Sequence, residues 1–199
     1  MSRGGSDGSG ERLSLGTLPR VWTIGHSTRG IDDFVAALRG HGIDCVADVR
    51  LLPGSKRYPH FNSDALADSL GSHSIRYEHF RELGGRRKPR ADSRNTAWRN
   101  DAFRGYADYM ETPEFAAGID RLLELARESR VALMCAEAVW WRCHRGLVSD
   151  YLKARGHEVI HIVDAKKADP HPWTSAAKMI DGRLDYSADA EAALQLPGF

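Results

Sequence analysis

The sequence predicts one α/β domain with a mostly parallel, five-stranded sheet and helices on both faces, an arrangement of the Rossmann-like type. Short runs rich in β-branched residues alternate along the chain with amphipathic helical segments. Strands joined through a helix pair in parallel, because the chain crosses over before it starts the next strand. With 199 residues, 42% of them hydrophobic, the chain is long enough to bury one sizeable core.

The first strand–helix–strand unit covers residues 21–49. Residues 21–24 form a strand that ends at Gly25, and residues 43–49, rich in β-branched residues, form the second strand. The helix between them is predicted by apolar residues at the i, i+3, i+4, i+7 spacing, which are Ile31, Phe34, Val35 and Leu38. The links are short, so the two strands are expected to be parallel neighbours in the sheet.

The middle of the chain is less regular. The expected elements are a helix at 64–70 capped by Asn62 or Ser63, a strand at 75–80, a short helix at 103–110, and a helix capped by Thr112 with Pro113 in its first turn. Residues 83–99 combine glycine and proline with basic residues, which predicts a long loop. Long loops in compact domains are often functional.

A second strand–helix–strand unit follows, with strands at 131–135 and 159–163 and a helix at 145–155. The expected organisation is a disordered, Gly- and Ser-rich leader at residues 1–18, the α/β domain at 19–165, and a weakly patterned C-terminal extension at 166–199.

Composition restricts the environment of the protein. The longest apolar runs, such as residues 131–135, are far too short to cross a bilayer, and the first ten residues lack the apolar core of a signal peptide. Three cysteines, an odd number, favour reduced thiols over a disulfide framework. We therefore expect a cytoplasmic protein of bacterial type with no membrane partner.

Charge is balanced overall but not locally. Lys and Arg total 28 and Asp and Glu 27, which does not indicate a general affinity for nucleic acid. Residues 76–104 nevertheless carry nine basic residues against four acidic ones. Such a segment either holds phosphate or carboxylate groups or forms a solvated loop.

Polar and reactive side chains follow three of the predicted strands. They are His26 and Ser27 after the first strand, Asp48, Arg50 and Ser55 after the second, and Cys135, Glu137, Cys143, His144 and Arg145 at and after the fourth. In open parallel sheets ligands bind outside the carboxyl ends of the strands, where loops converge and helix N-termini point inwards. We therefore expect these side chains to meet at one edge of the sheet, with His26, Asp48, Arg50, Glu137 and Cys143 around one pocket.

The same segments carry a resemblance to a known family. They read TIGHS at 23–27, DVR with P and S at 48–50, 53 and 55, LGGRR at 83–87, FRGYADYM at 103–110, and CAE at 135–137 with CHR at 143–145. Together they resemble the signature of the DUF488 family, over about residues 21–163. The resemblance implies an α/β fold and an active site, but it does not supply a reaction.

The two cysteines of this signature have several interpretations. Cys143 lies at a predicted helix start beside Arg142, His144 and Arg145, an environment that favours a thiolate. Cys135 ends a buried strand and is equally consistent with an inert core thiol. A structural, a catalytic or redox, and a metal-binding role stay open for the pair. The Cys-x7-Cys-His spacing is not a common zinc pattern.

Each of the other candidate residues also has two interpretations. His26 is either an acid or base with a pKa near neutrality or a histidine bonded to its own loop. Asp48 and Arg50 lie on the same face of a strand end, so they form a structural ion pair or Asp48 orients Arg50 towards an anion. Glu137 is a general base or the partner of a nearby arginine.

Two functions of different classes follow. The first is an enzyme acting on an anionic small molecule or nucleotide-like substrate, with catalytic roles for Cys143, Glu137, His26 and Cys135, and substrate-binding roles for Ser27, Asp48, Arg50, Ser55, Arg86, His144 and Arg145. The second is a binding module in nucleic-acid maintenance that uses the basic segment 76–104. A Cys/His metal-binding protein is a further alternative. The sequence indicates no particular cofactor.

The C-terminus suggests one partner. Residues 195–199 resemble the Gln-Leu-x-Leu-Phe peptide by which bacterial proteins bind the DNA sliding clamp. Gly198 stands where that peptide has a second large apolar residue, so any binding is expected to be weak. The alternative is a tail that folds back and packs Phe199 on its own domain.

Overall fold

The computed structural model describes residues 18–188 and shows a six-stranded sheet with helices on both faces. The strands are β1 Val21–Gly25, β2 Cys45–Asp48, β3 Arg76–His79, β4 Val131–Cys135, β5 Val159–Ile162 and β6 Ala168–Pro170. The helices are α1 Ile31–Gly40, α2 Ser63–Gly71, α3 Asp101–Tyr109, α4 Pro113–Glu128 and α5 Arg145–Ala154. The strand order is β3-β2-β4-β1-β5-β6.

The five predicted strands are confirmed, and all of them pair in parallel. The strand that sequence reasoning missed is β6, which pairs antiparallel with β5 at the edge of the sheet. It has only three residues, and it ends in Pro170, which cannot donate to a ladder and is tolerated at a sheet edge. A segment so short carries no alternation that a pattern search can detect.

Alternation along the strands divides the core between the two faces of the sheet. Ile24 and Met134 belong to the core packed by α1 and α2. Leu133 and Cys135 belong to the core packed by α3, α4 and α5. Successive strand residues point to opposite faces, so every residue at a strand end is assigned to one face by its register.

Capping explains where two helices begin. Thr112 Oγ1 accepts the amide of Phe115 and Pro113 occupies the first turn of α4, as predicted. For α2 the N-cap position is Asn62, but its side chain makes no cap hydrogen bond. Instead, Asn62 Oδ1 accepts the amide of Ser55 at 2.6 Å, which ties the loop after β2 to the start of α2.

Residues 166–188 pack on the domain. Besides β6 they form a hairpin of β7, Lys178–Ile180, and β8, Arg183–Asp185. Ala176 and Tyr186 are buried in the core beneath α3–α5. The expected leader, apart from Leu18, and the sliding-clamp motif at 195–199 lie outside the described residues. Within residues 18–188 no helix is long and apolar enough to cross a membrane.

Candidate active site

Two cysteine thiols meet at the carboxyl edge of the sheet. Cys135 is the last residue of β4, and Cys143 directly follows a 3-10 turn at residues 140–142 that folds the chain back over the strand end. Their Sγ atoms are 2.7 Å apart, and both thiols are free. The exposed fractions are 2% for Cys135 and 4% for Cys143, so water has little access to either sulfur.

Arg145 lies fully buried against this pair, at the first turn of α5. Its Nε donates to Cys135 Sγ at 2.9 Å, Nη1 donates to Thr23 Oγ1 at 3.2 Å, and Nη2 donates to the Glu137 carbonyl at 2.7 Å. No carboxylate within residues 18–188 forms an ion pair with it. A buried cation without a counter-charge costs several kcal/mol, so a negative charge is required nearby.

The thiols are the groups able to supply that charge. Burial raises the pKa of Cys143, but the hydrogen bond from Cys135 and the charges of His144 and Arg145 lower it by more, and the pKa ends well below its ordinary value. Burial and the adjacent sulfur raise the pKa of Cys135 well above its ordinary value. These directions favour Cys143 as the site of the negative charge and Cys135 as the hydrogen-bond donor of the pair.

His144 lies on the other side of the thiolate. Its Nε2 donates to the Val49 carbonyl at 3.0 Å, which leaves Nδ1, 3.6 Å from Cys143 Sγ, to exchange a proton with the sulfur. Gly85 explains part of the LGGRR motif, because a Cβ at this position would lie 2.8 Å from His144 Nδ1. Tyr106, from the FRGYADYM motif, packs its ring 5.0 Å from the imidazole.

Gly25, the last residue of β1, also has to be glycine because another chain segment approaches it closely. A Cβ on Gly25 would lie 1.8 Å from the Glu137 carbonyl oxygen. That carbonyl is the one that accepts from Arg145, so the close approach of the two strand ends completes the hydrogen bonding of the buried guanidinium.

A buried hydrogen-bond network that sequence reasoning missed continues from Arg145. Thr23 Oγ1 donates to His161 Nδ1 at 2.7 Å, and His161 Nε2 donates to His171 Nδ1 at 2.8 Å. His171 Nε2 then donates to Asp150 Oδ1 at 3.0 Å. Arginine only donates hydrogen bonds, and a carboxylate only accepts them. With both histidines neutral, these two ends of the network fix the direction of every hydrogen bond between them.

Burial and ring contacts support a neutral imidazole at His161. Burial, followed by the nearby His171 and Arg145, lowers the pKa of His161 to about 2. Trp140 stacks on His161 with ring centroids 4.7 Å apart and planes within 6°. Asp150 also accepts from the amide and hydroxyl of Thr174 and from the hydroxyl of Tyr186. The network thus links the buried cation at the thiols to a fully hydrogen-bonded buried anion.

A second cluster joins Asp48 and Arg50. Arg50 Nε lies 2.9 Å from Asp48 Oδ1 and Nη2 lies 2.6 Å from Oδ2, a bidentate pair that is almost fully buried. Tyr77 donates its hydroxyl to Asp48 Oδ2 at 2.8 Å. Arg50 Nη1 points away from this pair towards His26 Nε2, at 3.5 Å. Asp48 therefore orients the guanidinium so that Nη1 faces His26 and not the carboxylate.

His26 is held as a neutral imidazole. Its Nδ1 donates to the Ser27 carbonyl at 3.0 Å, so Nε2 is the acceptor that faces Arg50. The ring stacks on Phe61 with centroids 4.1 Å apart. Burial and the charge of Arg50 lower the pKa of His26 to about 4.

The remaining candidates take backbone or surface positions. Ser27 has a left-handed backbone with φ of 50°, and its amide donates to the Ala136 carbonyl. Ser55 Oγ accepts the amide of Tyr58 within its own loop. The Glu137 side chain is exposed, and no hydrogen bond or ion pair of the exposed Arg86 side chain occurs within residues 18–188.

The structure places the candidate residues in two clusters. The thiol cluster, made of Cys135, Cys143, His144 and Arg145, lies on the α3–α5 face of the sheet. The arginine cluster, made of His26, Asp48, Arg50 and Tyr77, lies on the α1–α2 face. Both occupy the carboxyl edge, and the Val49 carbonyl that binds His144 belongs to the residue between Asp48 and Arg50. Both clusters therefore lie at the expected edge, but their side chains point to opposite faces of the sheet and do not surround the single pocket that we expected.

No group of three or more His, Cys, Asp and Glu side chains arranged to hold a metal ion occurs within residues 18–188. In the thiol cluster, the side chain that donates to Cys135 Sγ is the guanidinium of Arg145, which cannot ligate a metal.

Fold and site together define an open-sheet α/β protein with a buried dithiol at the carboxyl edge of its strands. The sequence model of the family described as domain of unknown function DUF488 matches residues 30–152, and the chain belongs to this family. The match extends from α1 into α5, and it confirms the resemblance that the motifs indicated. No curated protein and no solved structure matches the chain.

Proposed function

We propose that the protein is a cysteine-dependent enzyme acting on an anionic small-molecule or nucleotide-like substrate, with the Cys143 thiolate as nucleophile. The observation that carries this proposal is the buried Arg145, which has thiols rather than a carboxylate beside it. An inert core does not need a buried cation next to two sulfurs. A nucleophilic cysteine does need a nearby cation, because the cation stabilises the thiolate, which is the reactive form of cysteine.

In this proposal the chemistry is divided between the sulfur and the imidazole. His144 Nδ1 takes the proton of the Cys143 thiol and holds it beside the thiolate. Cys143 Sγ attacks an electrophilic atom of the substrate, and the bond between that atom and its leaving group breaks. The leaving group departs with the electron pair and receives the proton from His144. Glu137, exposed near the site, is the proposed proton acceptor for the water that releases the covalent intermediate.

Arginines supply the proposed anion binding. Arg86 follows Gly85, which packs on His144, and its guanidinium is exposed. Arg50, oriented by Asp48, presents Nη1 at the same edge of the sheet. A substrate that extends across the edge can place its reacting atom at the thiolate and its anionic group at an arginine.

The first test measures the thiolate directly. The ultraviolet absorbance of thiolate is followed against pH in the wild type and in Cys143→Ser, with Cys45→Ser as control. We expect the wild type and Cys45→Ser to retain a thiolate signal below pH 7 and Cys143→Ser to lose it. Burial raises the pKa of Cys45, so this residue contributes nothing at neutral pH. A wild-type signal that appears only in alkaline solution would contradict the proposal.

The second test measures anion preference. The rate of Cys143 modification by iodoacetate, divided by the rate with neutral iodoacetamide, is compared with the same ratio for free cysteine. We expect a larger ratio in the protein and a fall in Arg86→Gln. Arg99→Gln, which changes another exposed arginine of the same loop, is the matched control. A ratio equal to that of free cysteine would contradict the proposal that the substrate is anionic.

Ion pairs reduce the excess of positive charge on which the nucleic-acid alternative depends. Arg90 and Arg94 of the basic segment both pair with Glu111, and Arg104 pairs with Asp101. These contacts neutralise part of the local excess of positive charge. Binding to DNA or RNA that falls steeply with salt would restore this alternative, because phosphate binding releases counterions. The cytoplasmic location and a sliding-clamp contact of the tail remain proposals drawn from the sequence alone.

A further inference from the structure

The dithiol has the arrangement of a redox couple. Cys143 holds the thiolate and Cys135 stays protonated as its hydrogen-bond donor, with the two Sγ atoms in direct contact at 2.7 Å. Peroxide reduction needs one nucleophilic thiolate and one neighbouring thiol able to form a disulfide with it. A single nucleophile for group transfer does not need a second sulfur in contact with the first.

We propose that Cys135 and Cys143 reduce a small peroxide, with Cys143 as the attacking and Cys135 as the resolving cysteine. This inference rests on the same Cys143 thiolate as the proposed function, but it assigns a separate activity. The substrate class is hydrogen peroxide or a peroxide of similar size, because both sulfurs are almost fully buried and a small oxidant reaches them with the least rearrangement of the surrounding side chains.

The steps balance with no further group. The Cys143 thiolate attacks one peroxide oxygen, the O–O bond breaks, and hydroxide leaves and takes a proton from His144, which gives Cys143 sulfenic acid and water. The Cys135 sulfur then attacks Cys143 Sγ, the S–O bond breaks, and hydroxide leaves with the Cys135 proton as a second water. Two thiols are oxidised to one disulfide, and one peroxide is reduced to two waters.

The surroundings favour both halves of this cycle. Arg145 Nε donates to Cys135 Sγ, so the guanidinium stabilises the negative charge that develops on the resolving sulfur as its proton leaves. Oxidation removes the thiolate but leaves the buried cation in place. The disulfide form is therefore disfavoured electrostatically, which makes it easy to reduce again with a small-molecule dithiol.

The test is a titration of the full chain with hydrogen peroxide, followed by intact mass and peptide mapping. We expect the wild type and Cys45→Ser to lose two hydrogens per chain through a Cys135–Cys143 disulfide, and a small dithiol to restore the original mass. In Cys135→Ser, Cys143 should stop at sulfenic acid and react with dimedone at least about tenfold faster than Cys45. Cys143→Ser should form no disulfide.

Several outcomes would overturn the inference. The first is sulfinic acid at Cys143, without a disulfide, in the peroxide-treated wild type. The second is a Cys143 that reacts with dimedone no faster than Cys45 in Cys135→Ser. If the absorbance titration shows the thiolate and peroxide yields no disulfide, the redox activity alone is refuted. If the disulfide forms while iodoacetate has no advantage over iodoacetamide, the anionic substrate alone is refuted.

Discussion

Removing both sulfurs of the thiol cluster tests whether a negative charge on the thiols stabilises the buried Arg145. In the double variant Cys135→Ala/Cys143→Ala, the hydroxyl of Thr23 and the carbonyl of Glu137 are the guanidinium partners that Arg145 keeps among residues 18–188. Arginine cannot neutralise itself by losing a proton. Leaving one member of a buried charge pair alone costs about 3–5 kcal/mol of unfolding free energy, so we expect a loss of that order.

Adding Arg145→Met to the double variant should recover part of this loss. The substitution removes the uncompensated cation and places an apolar side chain in the buried site. It also leaves Thr23 and the Glu137 carbonyl without a donor, at a cost of about 1–3 kcal/mol. The same Arg145→Met change made in the wild type should instead destabilise the protein, because it removes the partner of the thiolate. The sign of the effect therefore depends on the presence of the sulfurs.

The assay is urea unfolding of the wild type, the double variant, Arg145→Met and the triple variant, followed by far-ultraviolet circular dichroism under reducing conditions. Equal slopes of the transitions establish that the four unfolding free energies are comparable. If Arg145→Met costs the same amount with and without the cysteines, the arginine and the thiols are not coupled. The assignment of a thiolate to this site would then be wrong.

Three further predictions concern the groups around the site. Gly25→Ala places a Cβ against the Glu137 carbonyl, 1.8 Å away, so we expect a much lower melting temperature, whereas Gly54→Ala, at a position with open space, should be tolerated. The pKa of His26 is lowered from 6.5 to about 4, so the unfolded state binds more protons between these pH values and stability should fall as pH falls through that window. His26→Gln should flatten this dependence in urea titrations at several pH values. Asp150→Asn removes the charge that accepts four buried hydrogen bonds, so we expect a loss of about 1–3 kcal/mol in the same urea assay.

Local patterns were sufficient for most of the fold. The apolar spacing of α1 and the Thr112–Pro113 start of α4 are properties of consecutive residues, and both predictions are confirmed. The strand β6 was not predicted, because three residues, one of them proline, are too few to show an alternating pattern. The side chain of Asn62 accepts the Ser55 amide instead of capping α2, since the amide of Ser55 and the first-turn amides of α2 compete as donors for Oδ1 and the loop geometry decides between them.

The sequence by itself determined which residues reach the carboxyl edge of the sheet, because every strand that points the same way delivers its following loop to the same side. It did not determine how those residues are grouped there. Strand register sends Cys135 to one face and Asp48 to the other, and a loop of two consecutive tryptophans folds Cys143 back onto Cys135. The network that joins Thr23 to His161 spans 138 positions of the chain, and it exists only because β1 and β5 are neighbours in the sheet. Contacts of that kind depend on which strands pair, and residue spacing along the chain carries no record of that pairing.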